Sequence, residues 1–263
     1  MIRSALLLAA HGAGDQSPAN RSVSALARRL AATTAFDEVA AAFHLGCPTY
    51  AQALDELDAT QIVVVPLMTS DGYYCQTVLR RGLSRSRRLW RVWVGITPAL
   101  GTHPALAGLE ARRAQQAMRD HELEPRETAV VVVGHGAVRH PRSRAATVAL
   151  RDALRERRLC ASVEAAFLSG APCVEDVSER TAGRSLVVIP LLMGGGYHAR
   201  IDIRERLGVD CAATAGPHPT SARDGRIVLL DPLGDDPAVG DLVRDLAAKG
   251  CQTLRARYRR TCA

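Results

Sequence analysis

At 263 residues the chain has room for one large domain or two modest ones, each able to bury its own core. Hydrophobic residues make up 47% of it and charged residues 23%, which excludes a disordered chain. Its apolar runs, such as Ala5–Ala10 and Ala129–Gly134, fall far short of the roughly 20 residues that cross a bilayer, so no membrane association is expected. Lys and Arg outnumber Asp and Glu by 34 to 27, a balance that favours an anionic partner. Aromatic residues are only 4% of the chain and no nucleic-acid motif is present, so the anion expected is a small polycarboxylate or phosphate rather than a nucleic acid.

Along the chain, short β-branched runs alternate with amphipathic helical segments. The start, through "ALLLAA", lacks a small-residue cleavage site and runs straight into a strand expected at residues 4–10, so it reads as structure rather than a signal peptide. Further strands are expected near 38–44, 61–67 and 91–96, with a helix over "SVSALARRLAA". A polar segment, Arg119–Ala129, reads as the connection between two halves, 1–124 and 125–263. The second half repeats the pattern, with strands near 128–134, 162–168, 185–191 and 226–231 and a helix over "RAATVALRDALRER". Uninterrupted runs such as "IVVVPLM" and "SLVVIPLLM" suit strands buried on both faces of a parallel sheet. The expected fold is α/β, in two similar lobes. Each lobe is a four-stranded parallel sheet flanked by helices, with a cleft between the lobes.

The halves are copies. His11 matches His135, Phe43 matches Phe167, Pro66 matches Pro190 and Tyr74 matches His198, each pair 124 positions apart. Beyond that the spacing widens to 133, as Pro104 opposite Pro237 shows. The second copy therefore holds nine extra residues, placed within "DCAATAGPHPTSARDG". Seven scattered cysteines without a CxxC pair indicate reduced thiols and a cytoplasmic protein.

Ligands of open parallel sheets bind beyond the carboxyl ends of the strands. His11 and His135 each follow the first strand of a half and precede a glycine, and Tyr74 and His198 follow the third strand across "TSDGY" and "MGGGY". His135 and His198 are thus expected to converge as two neutral imidazoles suited to a divalent transition metal or to proton acceptance. The glycines Gly194, Gly195 and Gly196 permit close approach of a flat ligand. His103, opposite Asp236 in the repeat, is expected to cap a helix, while His44, His121, His140 and His218 have no histidine partner in the repeat and receive no role.

The set "AHG", "AFxxxxP", "VVxPLxxxxGYH…DI" and "LGxxPxxxxL" resembles the CbiX/SirB class of type II tetrapyrrole chelatases over nearly the whole chain, in the long, internally duplicated form. The resemblance implies ATP-independent insertion of cobalt or ferrous iron into sirohydrochlorin, on the way to cobalamin or siroheme. The metal would be a substrate, no nucleotide is needed, and no phosphate-binding GxxxxGK[ST] loop is present. It implies His135 and His198 as metal ligands and proton acceptors, with His11 as a further catalytic candidate. Gly195, Gly196, Tyr197, Tyr74, Arg139 and Arg200 become substrate-binding candidates, and Arg142 and Arg204 further partners for substrate carboxylates. One chain supplies both copies, so a monomer is expected. The family's glutamate after the strand-two phenylalanine is absent: Leu45 and Ser169 stand there, with Glu164 the nearest acid to replace it. That absence keeps open an alternative, a non-catalytic tetrapyrrole or metal carrier on the same fold.

Overall fold

The apolar runs fold as strands and the amphipathic segments as helices that cover them. The computed structural model describes residues 3–15, 17–136, 141–194, 201–209, 219–222 and 225–261. In chain order the elements are β1 (Ser4–Gly12), α1 (Pro18–Ala31), β2 (Glu38–Leu45), α2 (Tyr50–Glu56), β3 (Gln61–Leu67), α3 (Arg80–Leu83), β4 (Trp93–Ile96) and α4 (Leu106–Asp120). There follow β5 (Thr128–Gly134), α5 (Pro141–Arg155), β6 (Ser162–Phe167), α6 (Val177–Arg180), β7 (Ser185–Pro190), α7 (Ile203–Arg206), β8 (Pro219–Ala222), β9 (Gly225–Leu229) and α8 (Val239–Thr261).

The chain packs as two units that do not follow the repeat boundary. One unit takes the residues up to His103 together with Pro237 onwards, and the other takes Pro104–Asp236. The last helix of each sequence copy therefore belongs to the unit built by the other copy: α4 packs on β7 and α5, and α8 on β3, β4 and α1. The contiguous halves 1–124 and 125–263 describe the repeat, whereas the packing units exchange a helix.

In the first unit the sheet order is β2-β1-β3-β4, all parallel. Ala5 through Ala9 are fully buried, as a central strand covered on both faces requires. Ala5, Leu7 and Ala9 pack with Ala42, Ile62 and Val64 against Tyr50, Ala53 and Leu54 of α2 and against Leu79 and Leu83. Helix α1 starts at Ser17, whose side chain accepts a hydrogen bond from the Asn20 amide, with Pro18 in its first turn. It buries Val23, Leu26, Ala27 and Leu30, a stripe at i, i+3, i+4 and i+7. Helix α8 lays Leu254 over Gly95 of β4 and Tyr258 edge-to-face on Trp93, ring centres 5.4 Å apart.

In the second unit the order is β6-β5-β7-β9-β8. The first four strands are parallel and repeat the first sheet, but β8 adds a fifth, antiparallel edge strand where four were expected. It arises from the extra residues of the second copy, which bring Pro219–Ala222 alongside Gly225–Val228. Glu110 of α4 is fully buried and held by Arg113, which also bonds Asp236 and the Asp231 carbonyl. Among the described residues, no helix is long and apolar enough to cross a membrane.

Candidate functional site

The register of the first sheet brings two imidazoles together. Ala10 pairs with Phe43 and Gly12 with Leu45, so His11 and His44 leave adjacent parallel strands at the same level. Residues two apart share a face. Leu7 and Ala9 on β1, and Ala40 and Ala42 on β2, line the core shared with α2, so His11 and His44 continue that face past the packed layer. Their ring centres are 5.5 Å apart, edge to face. Tyr74, in the π-helical turn Tyr74–Leu79 after β3, stands 4.4 Å from His11 and 5.9 Å from His44, with Tyr73 5.7 Å beyond it. Tyr73, Tyr74 and His44 are exposed, so the cluster faces solvent.

The backbone beneath this cluster is tightly specified. Gly12 has φ +75°, and a Cβ there would lie 2.1 Å from the Leu45 carbonyl oxygen, so no larger residue fits between the two strand ends. Asn20 accepts from the Ala13 amide and donates to the Leu45 carbonyl, tying the two loops together. The Tyr50 hydroxyl donates to the Ala10 carbonyl at 2.6 Å directly below His11. His11 Nδ1 lies 2.9 Å from the Gly12 carbonyl oxygen; a carbonyl can only accept, so Nδ1 donates there. Partial burial of the ring, then the neighbouring His11 and Arg85, hold the His44 imidazole below its ordinary pKa and favour its neutral form.

The second unit rebuilds the turn with different side chains. His135 follows β5, is exposed, and its carbonyl accepts from the Ser169 amide at 2.9 Å. Gly136 has φ +73°, with Phe167 Cβ 2.5 Å and the Ser169 carbonyl oxygen 2.7 Å from where its Cβ would be. Both units turn after strand two through a cis proline, Cys47–Pro48 and Ala171–Pro172, whose carbonyl accepts from the Phe43 or Phe167 amide at 2.9 Å. Where the first unit has His44 the second has Leu168, buried in its core. Where the first has Asn20 the second has Arg144, stacked 3.9 Å over Phe167.

Of the residues read from the sequence, His11 and Tyr74 are brought into contact, and His135 takes the same place in its own unit. His198, Gly195, Gly196, Tyr197, Arg139 and Arg200 lie outside the described residues. Arg142 is in the first turn of α5 and Arg204 in α7. His103 is not the N-cap of α4, which begins after Ala105: it closes the 3-10 turn Leu100–Thr102, is buried, and its Nε2 lies 2.8 Å from Asp245 Oδ2 on α8. Glu164 does not replace the missing glutamate, because it sits opposite Val131 in the middle of the edge strand β6 and pairs with Arg180 at 2.9 Å. His44 has no histidine partner in the repeat, where Leu168 stands opposite it. Its signal was its place directly after Phe43, at the carboxyl end of the strand beside β1.

The CbiX family model matches the chain twice, over residues 5–117 and 129–249. The chain belongs to the CbiX family. A Halobacterium salinarum protein named as a probable sirohydrochlorin cobaltochelatase is 27% identical over 93% of this chain and 90% of its own length. The structure of CbiX described as the terminal enzyme of siroheme biosynthesis in denitrifying bacteria shares the fold of this CbiX-family chain, with a TM-score of 0.72 at 24% identity over 94% of this chain and 99% of that one. A multi-domain Deinococcus radiodurans protein, described as similar to chelatases with two additional domains, matches at TM-score 0.75 and 26% identity. That match covers 95% of this chain, which spans 56% of the larger protein. The two family matches follow the sequence repeat, each ending within the helix that its copy gives to the other unit.

Proposed function

We propose that the chain is an ATP-independent chelatase, of the lyase type, that inserts Co2+ or Fe2+ into sirohydrochlorin or a related tetrapyrrole. The observation that carries the reading is the double CbiX match, joined to a turn in both units whose glycine sets a histidine at the carboxyl edge of the sheet. In this reading His135 and His198 hold the incoming ion and accept the pyrrole protons that it displaces. Gly195, Gly196, Tyr197, Arg139 and Arg200 receive the macrocycle and its carboxylates, with Tyr74 a further substrate-binding candidate and His11 a further catalytic one. Cobalamin or siroheme synthesis is the corresponding role, carried out by a monomer in the cytoplasm. Leu45 and Ser169 leave both strand-two ends without the family's carboxylate, so the imidazoles carry the metal chemistry.

Anaerobic incubation with sirohydrochlorin and either ion tests this. The expected result is spectral conversion faster than the uncatalysed background, lost in His198→Ala. A stable unmetallated complex, with no rate above background, would instead indicate a carrier. Undiminished insertion by His198→Ala would remove that residue from the reaction.

A further inference from the structure

The excess of basic over acidic residues is not spread along the chain. Between Asp71 and Glu110 no acidic residue occurs, while Arg80, Arg81, Arg85, Arg87, Arg88 and Arg91 do. After Asp245 none occurs either, while Lys249, Arg255, Arg257, Arg259 and Arg260 do. These two segments hold 11 of the 34 Lys and Arg, so the rest of the chain has 23 against its 27 Asp and Glu. Two stretches thus account for the whole net positive charge.

The fold of the first unit joins them. Arg88 donates to the carbonyls of Asp58 and Ala59, just ahead of β3, and β4 opens with Trp93 beside Gln61, the first residue of β3. The turn that carries Arg87–Arg91 therefore lies at the amino edge of the sheet, the end opposite His11 and His44. The last turns of α8 reach the same edge, where Tyr258 packs on Trp93 with ring centres 5.4 Å apart and Arg255 and Arg257 are exposed.

On this surface Trp90 is 75% exposed, the most exposed large apolar side chain among the described residues, and the Arg91 guanidinium covers one face of its ring at 4.3 Å. The acids nearby are already engaged. Asp55 accepts from the Ser86 hydroxyl and from the Arg87 and Arg88 amides, and Arg3 pairs with Glu38 and Asp58, each at 3.5 Å. Among the described residues Arg81, Arg85 and Arg91 form no ion pair. The second copy does not repeat the arrangement, since Glu205 and Val209 stand where the first has Arg81 and Arg85.

A large ring left in water beside cations that no carboxylate neutralises fits a partner offering both anions and an apolar layer. We infer that this edge docks the chain on an anionic phospholipid bilayer, with the Trp90 indole at headgroup level and the arginines against lipid phosphates. Membrane interfaces favour tryptophan and basic side chains in these two roles. Among the described residues no helix is long and apolar enough to cross a membrane, so the contact is peripheral; short apolar runs argue against a span, not against a surface contact. Single-stranded nucleic acid asks for successive aromatic platforms, whereas the other exposed rings, Tyr73 and Tyr74, lie at the opposite edge. An acidic protein face matches the charges but not the apolar layer.

The test is co-sedimentation of the full chain with phosphatidylcholine vesicles and with vesicles of phosphatidylcholine and phosphatidylglycerol in a two-to-one mixture. Binding is expected to the anionic vesicles alone, and it should weaken as salt is added. An arginine near an anionic surface raises affinity about fivefold, so Arg87→Gln combined with Arg91→Gln should weaken binding at least tenfold. Tryptophan fluorescence should shift to the blue on binding, and Trp90→Ala should abolish that shift. No pelleting with the anionic vesicles, equal pelleting with the neutral ones, or a double variant within twofold of the wild type would overturn the inference. Tighter binding of a single-stranded oligonucleotide than of the anionic vesicles would do so too, by assigning the surface to nucleic acid. The assay uses neither sirohydrochlorin nor metal, so its failure leaves the metal-insertion reading standing, and failure of metal insertion leaves this surface standing.

Discussion

Two glycines two positions apart separate the cost of backbone conformation from the cost of space. Gly12 and Gly14 both have positive φ, +75° and +97°. A Cβ on Gly14 meets nothing within 4 Å, whereas one on Gly12 falls 2.1 Å from the Leu45 carbonyl oxygen and 3.1 Å from Asn20 Oδ1. Gly14→Ala should therefore cost only the left-handed penalty, about 1–2 kcal/mol. Gly12→Ala bears the same penalty and must also move the Leu45 carbonyl by roughly an ångström, an overpacking cost of about 1–3 kcal/mol, for a total of about 2–5 kcal/mol. The chain's two tryptophans, Trp90 and Trp93, both lie in the unit that holds these glycines, so tryptophan fluorescence in urea reports on that unit. With a slope of about 2 kcal/mol per molar, the midpoint of Gly12→Ala should fall about 0.5–1.5 M below that of Gly14→Ala. Equal midpoints for the two variants would refute the argument that strand-end contact, rather than φ alone, demands glycine after the histidine.

Arg113→Met should strand the buried Glu110 carboxylate and destabilise the second unit by about 3–5 kcal/mol, followed by far-UV circular dichroism in urea. Burial already raises the Glu110 pKa against the pull of Arg113. The unfolded carboxyl is the stronger acid, so stability falls as pH rises through this range; the variant's deficit should shrink in acid and grow towards neutrality, and a pH-independent deficit would contradict the cause given. Tyr50→Phe removes the hydrogen bond to the Ala10 carbonyl without changing the packing, and should cost about 0.5–1.5 kcal/mol in the same fluorescence assay. Burial, with Asp71 nearby, pushes the Cys75 thiol up to about 12. Iodoacetamide at pH 8, read by peptide mass spectrometry, should accordingly leave Cys75 unmodified until the chain is unfolded, while exposed Cys47 reacts in the native protein. Native labelling of Cys75 at the rate of Cys47 would show that the thiol is not sequestered.

The strands were legible because burial on both faces leaves little freedom of composition: runs such as Val130–Val133 and Ile62–Val65 could be little else, and their limits fall within a few residues of those expected. The histidine–glycine turns were legible too, since the same glycine recurs in both copies for the same steric reason. His44 was not, because comparing the copies rewards residues that match and His44 faces a leucine there. Its significance lies in register, with Ala10 opposite Phe43 and Gly12 opposite Leu45, and pairing between strands far apart in sequence is not written in either strand alone.

The exchanged helices show a deeper reason for what stayed hidden. An amphipathic stripe states that a helix will cover an apolar face, but duplication supplies two sheets with nearly the same face, so periodicity cannot choose between them. The choice rests on particular contacts that differ between the copies. Leu254 fits over Gly95, and Tyr258 meets Trp93, whose counterpart at the 133-residue spacing is Arg226; Arg113 reaches Glu110, Asp236 and the Asp231 carbonyl at once. Each sheet is thus completed by a helix from the other sequence copy, and neither copy holds all of its own fold. The two copies are therefore free to differ at their sheet edges, as His44 and Leu168 do, but neither is free to lose its last helix without uncovering the sheet of the other.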